Sequence, residues 1–344
     1  MTELLPKGAY YKINLHCHTV LSDGMKTPEE VKRDYLAHGY SAVAFTDHDK
    51  YVPHNDLTDG SFVALNGFEL EYYHEPWVGQ TCHLCFVARS PDNPALGYSD
   101  PDGEVFLYEL RPGDPDPAEG GGLYTVTCPG RKYTPDYINA DIARGRELGF
   151  FITYNHPTWS LERWNDYLRY EGADAMEIAN YDCLVGGFDE DNGRVYEDML
   201  SLSPALRCIA ADDNHNEASD ASPYSDSYGG CVMAAARELS YAGIMEALDA
   251  GRFYSCARVN PAVEECPRIL SLTLSEGVLR VETDPCTEIA LIRDRRPFGV
   301  RLAKRGETLT GAEFTMAPCR WFRLAVTGAG GNKAYTNAYP GGIE

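Results

Sequence analysis

The sequence predicts an α/β fold with a mainly parallel sheet, followed by an all-β C-terminal segment. Short β-branched and apolar runs alternate with helical stretches up to about residue 250, Pro and Gly punctuate the changes, and the helical stretches stop after Pro267. With 344 residues the chain can form one large α/β barrel or two ordinary domains, and its 44% hydrophobic content is that of a globular protein with a full core.

Seven runs read as strands: 12–18, 42–48, 62–70, 82–88, 149–155, 174–179 and 207–213. Thr27-Pro28-Glu29-Glu30 opens a helix, with Thr as N-cap and Pro in the first turn, and Gly39 stops it. A second helix follows Thr134-Pro135 and ends at Gly149; a third covers about 240–250 and stops at Gly251. Residues 91–134 read as an insertion, because Arg111–Gly122 is too rich in Pro and Gly for a regular element. After Pro267, Leu270–Glu276, Val278–Thr283, Glu288–Arg293, Phe314–Ala317 and Arg320–Thr327 alternate like half-buried strands, so 267–344 is expected to be a small β-sandwich-like domain.

Net charge is -22, a field that repels long polyanions, so a nucleic-acid duplex is not an expected partner. A small anionic substrate stays possible where bound cations invert the local potential. No run approaches the ~18 apolar residues of a membrane span, so no membrane partner is expected. Met1–Lys7 lacks the basic and then apolar pattern of a secretory leader. The eleven cysteines are scattered, with no CxxC, and several sit inside apolar runs. They read as buried thiols, and a cytoplasmic location is expected.

The histidines carry the functional signal. His16-Cys17-His18 ends the first strand run, and at i and i+2 both imidazoles leave one face of a strand. Asp23 follows on a tight turn. Asp47-His48-Asp49 ends the second run, Glu69 the third, and His83 opens the fourth. His156, before Pro157, ends the fifth, and Asp213-Asn214-His215 ends the seventh. Taken singly each is an ordinary turn or strand end. Together, at successive strand ends that converge on one face, they predict a cluster for divalent ions. Imidazole and carboxylate without thiolate suit Zn, Mn or Fe, and more than four ligands implies two or three ions.

In this order, HxHTxxSDG, TDHD, GxE, a strand-borne His, HP and DxH resemble the polymerase-and-histidinol-phosphatase (PHP) superfamily of metal-dependent phosphoesterases, over about residues 12–260. Ser227–Val232 with Ile244–Ser255, and the closing Lys333–Asn337, are similar to its carbaryl-hydrolase-like branch. The resemblance implies a distorted (β/α)7 barrel over 1–266. It further implies one ion on His16, His18, Glu69 and Asp213, a second on Glu69, His83 and His156, and a third on Asp23, His48 and His215. Asp23 stands where other members have His.

The reaction this implies is hydrolysis of a small phosphate ester, mono- or diester, such as a nucleotide or sugar phosphate, by a metal-bridging hydroxide, with Asp213 or His215 relaying the proton. Among loops that follow strands, Arg131 and Arg194 are the expected substrate-binding cations. Two alternatives stay open: a carbamate, ester or amide hydrolase with the same centre, and a non-catalytic module whose ions are structural. His38 is read as a helix-end residue, His54 and His74 as loop residues, and Glu71, Asp47, Asp49 and Asp212 as orienting or turn residues.

Overall fold

A computed structural model describes residues 1–73, 79–93 and 131–342. In chain order the first strands are β1 (Thr2–Leu5), β2 (Tyr11–Asn14), β3 (Ala42–Phe45), β4 (Val63–Tyr73), β5 (Thr81–Ala88), β6 (Phe150–Tyr154), β7 (Ala175–Asn180), β8 (Arg207–Ala211), β9 (Gly230–Ala234) and β10 (Phe253–Ala257). Then come β11 (Ile269–Ser275), β12 (Val278–Cys286), β13 (Glu288–Arg293), β14 (Arg296–Leu302), β15 (Leu309–Thr315), β16 (Trp321–Thr327), β17 (Lys333–Thr336) and β18 (Tyr339–Pro340). The helices are α1 (Pro28–Ala37), α2 (Pro135–Glu147), α3 (Trp164–Tyr167), α4 (Tyr181–Val185), α5 (Gly193–Met199) and α6 (Tyr241–Asp249). All seven expected strand runs form strands, β2 to β8; β1, β9, β10, β14 and β18 were not anticipated. None of the described helices is long and apolar enough to cross a membrane.

The three expected helices start on side-chain caps. Thr27 accepts from the Glu30 N–H while the Glu30 carboxylate takes the Thr27 N–H, a reciprocal cap for α1. Thr134 and Ser240 cap α2 and α6 in the same first-turn position. Gly39, Gly149 and Gly251 follow their C-termini at positive φ. α1 turns Val31 and Tyr35 into a core shared with Val43, Phe45 and Phe62.

β2, β3 and β4 pair in parallel, as do β6, β7 and β8. Between the two groups β5 runs antiparallel to both β4 and β6. This corrects the (β/α)7 barrel expectation. Thr81 follows Tyr73 by too few residues for the helical crossover that parallel neighbours need. Among the described residues the sheet also does not close on itself: the pairing path runs from β14 to β8 and ends there.

The β8 end nevertheless curls back against β9 and β10. A Cβ on Gly230 in β9 would lie 2.1 Å from the Ala211 carbonyl of β8. Side chains occupy the seam where a ladder would run. Ser255 Oγ donates to the Cys208 carbonyl at 2.9 Å, and the Asn337 side-chain oxygen accepts the Cys208 N–H at 3.0 Å. Asp212, just past β8, takes the backbone N–H groups of Tyr228, Gly229 and Gly230, which ties the start of β9 to the end of β8.

Every regular element after Pro267 is a strand, and the expected boundary falls between β10 and β11 in chain order. Hydrogen bonding continues across it. β10 pairs with β17, which leads through β16 and β13 to β14, all within one 14-stranded sheet. A second, four-stranded sheet, β1-β11-β12-β15, takes its edge strand from the N-terminus. Most of the expected insertion, with its Arg111–Gly122 run, and His74 lie outside the described residues. The ten described cysteines are free thiols.

Beyond β6 the chain folds back so that Glu162 is buried under three tyrosines. Tyr133 donates to Oε1 at 2.7 Å, and the hydroxyls of Tyr170 and Tyr154 also donate to the carboxylate. Burial outweighs these donors and pushes Glu162 from 4.5 up to about 7. The folded chain therefore holds a proton that the unfolded chain releases above pH 4.5, and stability from this group is full below 4.5 and lost as pH rises to about 7. The loss is on the order of 3 kcal/mol. We predict that Glu162→Gln flattens the pH dependence by that order when urea unfolding is compared at pH 5 and pH 8. An unchanged difference between the two pH values would show that Glu162 titrates normally in the folded chain.

Candidate metal centre

The two i, i+2 pairs of the sequence face one another across a single backbone bridge. Cys17 pairs in parallel with Asn214, just beyond the ends of β2 and β8. Around that bridge His18 N–H donates to the Asn214 carbonyl at 3.1 Å, and Asp213 N–H donates to the His16 carbonyl at 3.0 Å. His16 and His18 thus lie opposite Asp213 and His215. A second bridge, His48 with Glu69, brings the end of β3 against β4. Glu69 and His83 sit inside β4 and β5, and His156 follows the end of β6.

His16 Nε2, His18 Nε2, Glu69 Oε2 and Asp213 Oδ1 converge on one point. His16 Nε2 lies 3.1 Å from His18 Nε2, 3.2 Å from Glu69 Oε2 and 3.0 Å from Asp213 Oδ1. His18 Nε2 lies 3.3 Å and 3.0 Å from the same two oxygens. One ion with metal–ligand distances of about 2.0–2.2 Å sets its ligand atoms about 2.8–3.6 Å apart, so this donor set has the dimensions of one coordination sphere. Asp213 Oδ1 and His48 Nδ1 are buried, and neither makes a hydrogen bond among the described residues. Such orphaned atoms are expected where side chains point at a shared centre rather than at each other. All four side chains are buried.

Glu69 faces two ways. Its Oε2 also lies 3.3 Å from His48 Nδ1, while its Oε1 lies 3.2 Å from His83 Nδ1 and 3.4 Å from His156 Nε2. The His83 and His156 rings are 4.8 Å apart. The ligand atoms group somewhat differently from the expected second set: His83 clusters with His48 and Glu69, and His156 with His16 and Glu177. At the open end Asp23 Oδ2 stands 3.6 Å from both His48 Nε2 and His215 Nε2, and these three group with His18. All nine expected ligands are therefore brought together.

The supporting side chains are largely ones the sequence reading passed over. Outer ring nitrogens have partners: His16 Nδ1 at 2.8 Å from Glu177, His156 Nδ1 at 3.2 Å from Ser160 Oγ, His215 Nδ1 at 2.9 Å from the Asp213 carbonyl, and His83 Nε2 at 2.9 Å from Glu71. Buried carboxylates hold the ligand loops by their N–H groups. Asp47 takes those of Thr19 and Ser22, Glu190 those of Thr158 and Trp159, and Asp226 those of His215 and Asn216. Gly24 is required by the same packing, since a Cβ there would lie 2.6 Å from the His18 carbonyl group. Glu177 carried one signal, a carboxylate inside a buried strand run, whereas Glu190 sits in a polar Gly- and Asp-rich loop that gave none.

Charge compensation is visible in the proton affinities. Burial works to raise Glu69, but His16, His83 and His48 outweigh it and hold the carboxyl well below its ordinary range. For Asp213 burial is likewise outweighed, chiefly by His16. Burial disfavours charge on His83 and His215, yet Glu69 and Glu71 raise the first to about 10, and Asp23 and Asp213 raise the second to about 10. His48 falls to about 4 through burial and the neighbouring His18.

The cluster opens into a cleft of about 380 Å³ whose walls include Glu71, Tyr73, Trp159 and Asp182. Arg131 lies at its edge, donating to the Glu71 carbonyl at 2.9 Å and pairing with Asp49. Arg194 does not reach the cleft and corrects the expectation for that residue. It sits on α5, pairs with Asp198 one turn on at 3.3 Å, and lines a separate groove with Trp164 and Arg295. The chain after β7 carries it outward, because α4 intervenes and Arg194 lies on the next helix, α5. His38 caps α1 and stacks on Tyr228, and His54 is buried beside Phe45.

We predict that chain produced in metal-replete medium carries at least two divalent ions by elemental analysis. Zinc or manganese should also raise the unfolding midpoint of chelator-treated protein, since ligands of the folded state stabilise it. One ion or none, with no thermal shift, would count against the centre.

No family model and no curated protein matches the sequence. Among solved structures the chain is similar to a two-domain protein containing a predicted PHP-like metal-dependent phosphoesterase from Bacteroides vulgatus, at 16% identity and TM-score 0.46 over 97% of each chain. It is also similar to a proposed metal-dependent phosphoesterase from Bifidobacterium adolescentis, at 16% identity and TM-score 0.38 over 62% of this chain and 90% of that one. A third is an amidohydrolase from Chromobacterium violaceum with bound sulfate and no metal, at 17% identity and TM-score 0.40 over 59% and 87%. These likenesses concern the overall trace; the chemistry of this chain has to be read from its own side chains.

Proposed function

We propose that this chain hydrolyses phosphate esters of small molecules with two or three divalent ions, Zn, Mn or Fe. The observation that carries the reading is Glu69, whose two oxygens each face a different set of imidazoles beneath a solvent-open cleft. His16, His18, Glu69 and Asp213 would hold one ion, Glu69 with His83 and His156 a second, and Asp23, His48 and His215 a third. Bound there, divalent ions supply Lewis acidity and lower the pKa of water.

The chain's own groups do the rest. With only the first two ions bound, His215, turned by its Nδ1 contact so that Nε2 faces Asp23 and the cleft, can hold or pass a proton to a leaving oxygen. Asp213 Oδ2, anchored by Asn180 at 3.1 Å, is the second candidate for that transfer. Trp159 and Tyr73 wall the cleft, and Arg131 beside Glu71 would meet an anionic substituent only by exchanging its contact with Asp49. Structural ions are normally enclosed by protein ligands, whereas the Asp23 side chain is 52% exposed, which disfavours a purely structural role.

One feature supports a second reading. Glu71 and Asp182 line the cleft, and Arg131 is already engaged by Asp49 and the Glu71 carbonyl, so a dianion is poorly accommodated. A carbamate, ester or amide meets no such repulsion, and the sequence likeness to the carbaryl-hydrolase-like branch points the same way. Assays of phosphomonoesters, phosphodiesters and carboxyl esters with each of Zn, Mn and Fe separate the readings. Turnover confined to carboxyl-type substrates would overturn the first.

Glu69→Gln keeps the size of the side chain and removes the charge shared by two ion sites. It should abolish turnover and lower metal content with circular dichroism unchanged, whereas His38→Ala should leave turnover nearly intact. Near-normal turnover of Glu69→Gln with full metal would remove Glu69 from the centre. In the same assay Arg131→Ala should raise KM several-fold at unchanged metal content, and Arg194→Ala should leave KM as it is. The reverse order would relocate substrate binding to the α5 groove.

A further inference from the structure

We infer that Glu177 is a positioning residue that holds His16 in the ring form able to ligate through Nε2 and at the same time braces the backbone of His156. The inference rests on the metal-centre reading and adds a residue outside the nine ligands. β7 is buried along its whole length, and Met176, Ile178 and Ala179 pack into the core. Glu177 in their midst is 0% exposed, and an uncompensated carboxylate there would be strongly unfavourable.

Its oxygens are divided between two ligands. Oε1 lies 2.8 Å from His16 Nδ1, while Oε2 accepts the His156 N–H at 2.9 Å and a side-chain N–H of Asn180 at 3.0 Å. His156 has φ +24°, an unfavourable conformation for a non-glycine residue, and the Glu177 contact is what its N–H receives in return. An ionised carboxylate only accepts. The hydrogen of this contact therefore sits on His16 Nδ1, and Nε2, the atom facing His18, Glu69 and Asp213, presents its lone pair to an ion.

A glutamine cannot reproduce this. With its oxygen toward His156 and Asn180, its NH2 group meets His16 Nδ1 and favours the ring form with hydrogen on Nε2, which blocks the ligand atom. With the amide reversed, NH2 faces two donors and the strained backbone loses its partner.

The test uses the full chain with zinc as probe. Zinc affinity of wild type and Glu177→Gln is measured by chelator competition, with circular dichroism of both metal-free proteins. Nitrogen-15 spectra of the zinc-loaded wild type, with His16 assigned through His16→Gln, report which ring nitrogen carries hydrogen. The expected results are an affinity about 10–100-fold lower in Glu177→Gln and hydrogen on His16 Nδ1 in wild type. Variant affinity within twofold of wild type, or hydrogen on His16 Nε2, overturns the inference while leaving the metal centre standing. If Glu177→Gln does not fold, the wild-type spectrum decides alone. Wild type that takes up no zinc overturns the metal-centre reading and this inference with it.

Discussion

Glu69 is a carboxylate at the middle of a strand, 1% exposed, with a second buried carboxylate, Asp213, in the same cluster. Two such anions are costly in a protein interior unless positive groups meet them at short range. The architecture around them follows from that demand. Imidazoles arrive from β2, β3, β5, β6 and β8, each bringing at least one ring nitrogen within 3.6 Å of a carboxylate oxygen of Glu69, Asp213 or Asp23. A cluster of this shape can be neutralised by protons or by divalent ions, and the two compete for the same nitrogens.

Holding so many polar groups in place requires the backbone to continue pairing after the regular strands have ended. The Cys17–Asn214 and His48–Glu69 bridges do this, and each puts a ligand on either side of a hydrogen-bonded position. Beyond them the loops are tied by carboxylates that are not ligands: Asp47, Glu177, Glu190, Asp212 and Asp226. The acidic character of the chain is thus partly structural. A buried carboxylate can accept several N–H groups at once, which suits loops whose own backbone cannot pair. Asp213 and His156 are held at positive φ within this framework, consistent with strain at positions fixed by their surroundings.

The open seam between β8 and β10 is the other consequence. Side chains of Ser255 and Asn337 satisfy the backbone of Cys208 where a neighbouring strand would otherwise do so. Asn337 belongs to the C-terminal segment and also donates to the Gly251 and Phe253 carbonyls. Arg323 of β16 reaches the Glu197 carboxylate of α5 at 2.6 Å in a buried pair. The C-terminal segment therefore holds β8 and α5 through side-chain hydrogen bonds, and β10 through the ladder along the edge that β9 does not use.

Local pattern was enough for the strands β2 to β8, for α1, α2 and α6, and for the nine clustered side chains. Apolar runs, capping residues and i, i+2 spacing are properties of neighbours in the chain, and they persist into the fold. Strand direction was not among them. An apolar run reads the same in either direction, so the antiparallel β5 emerged from its pairing with β4 and β6, which a link too short for a crossover permits. Tertiary structure also decided which ring nitrogen faces inward, since that depends on partners such as Glu177 that are distant in sequence. It likewise separated Arg131 from Arg194. Both follow strands in the chain, but only the first is returned to the cleft, because a long-range contact with Asp49 and Glu71 holds it there while α4 and α5 carry the other away.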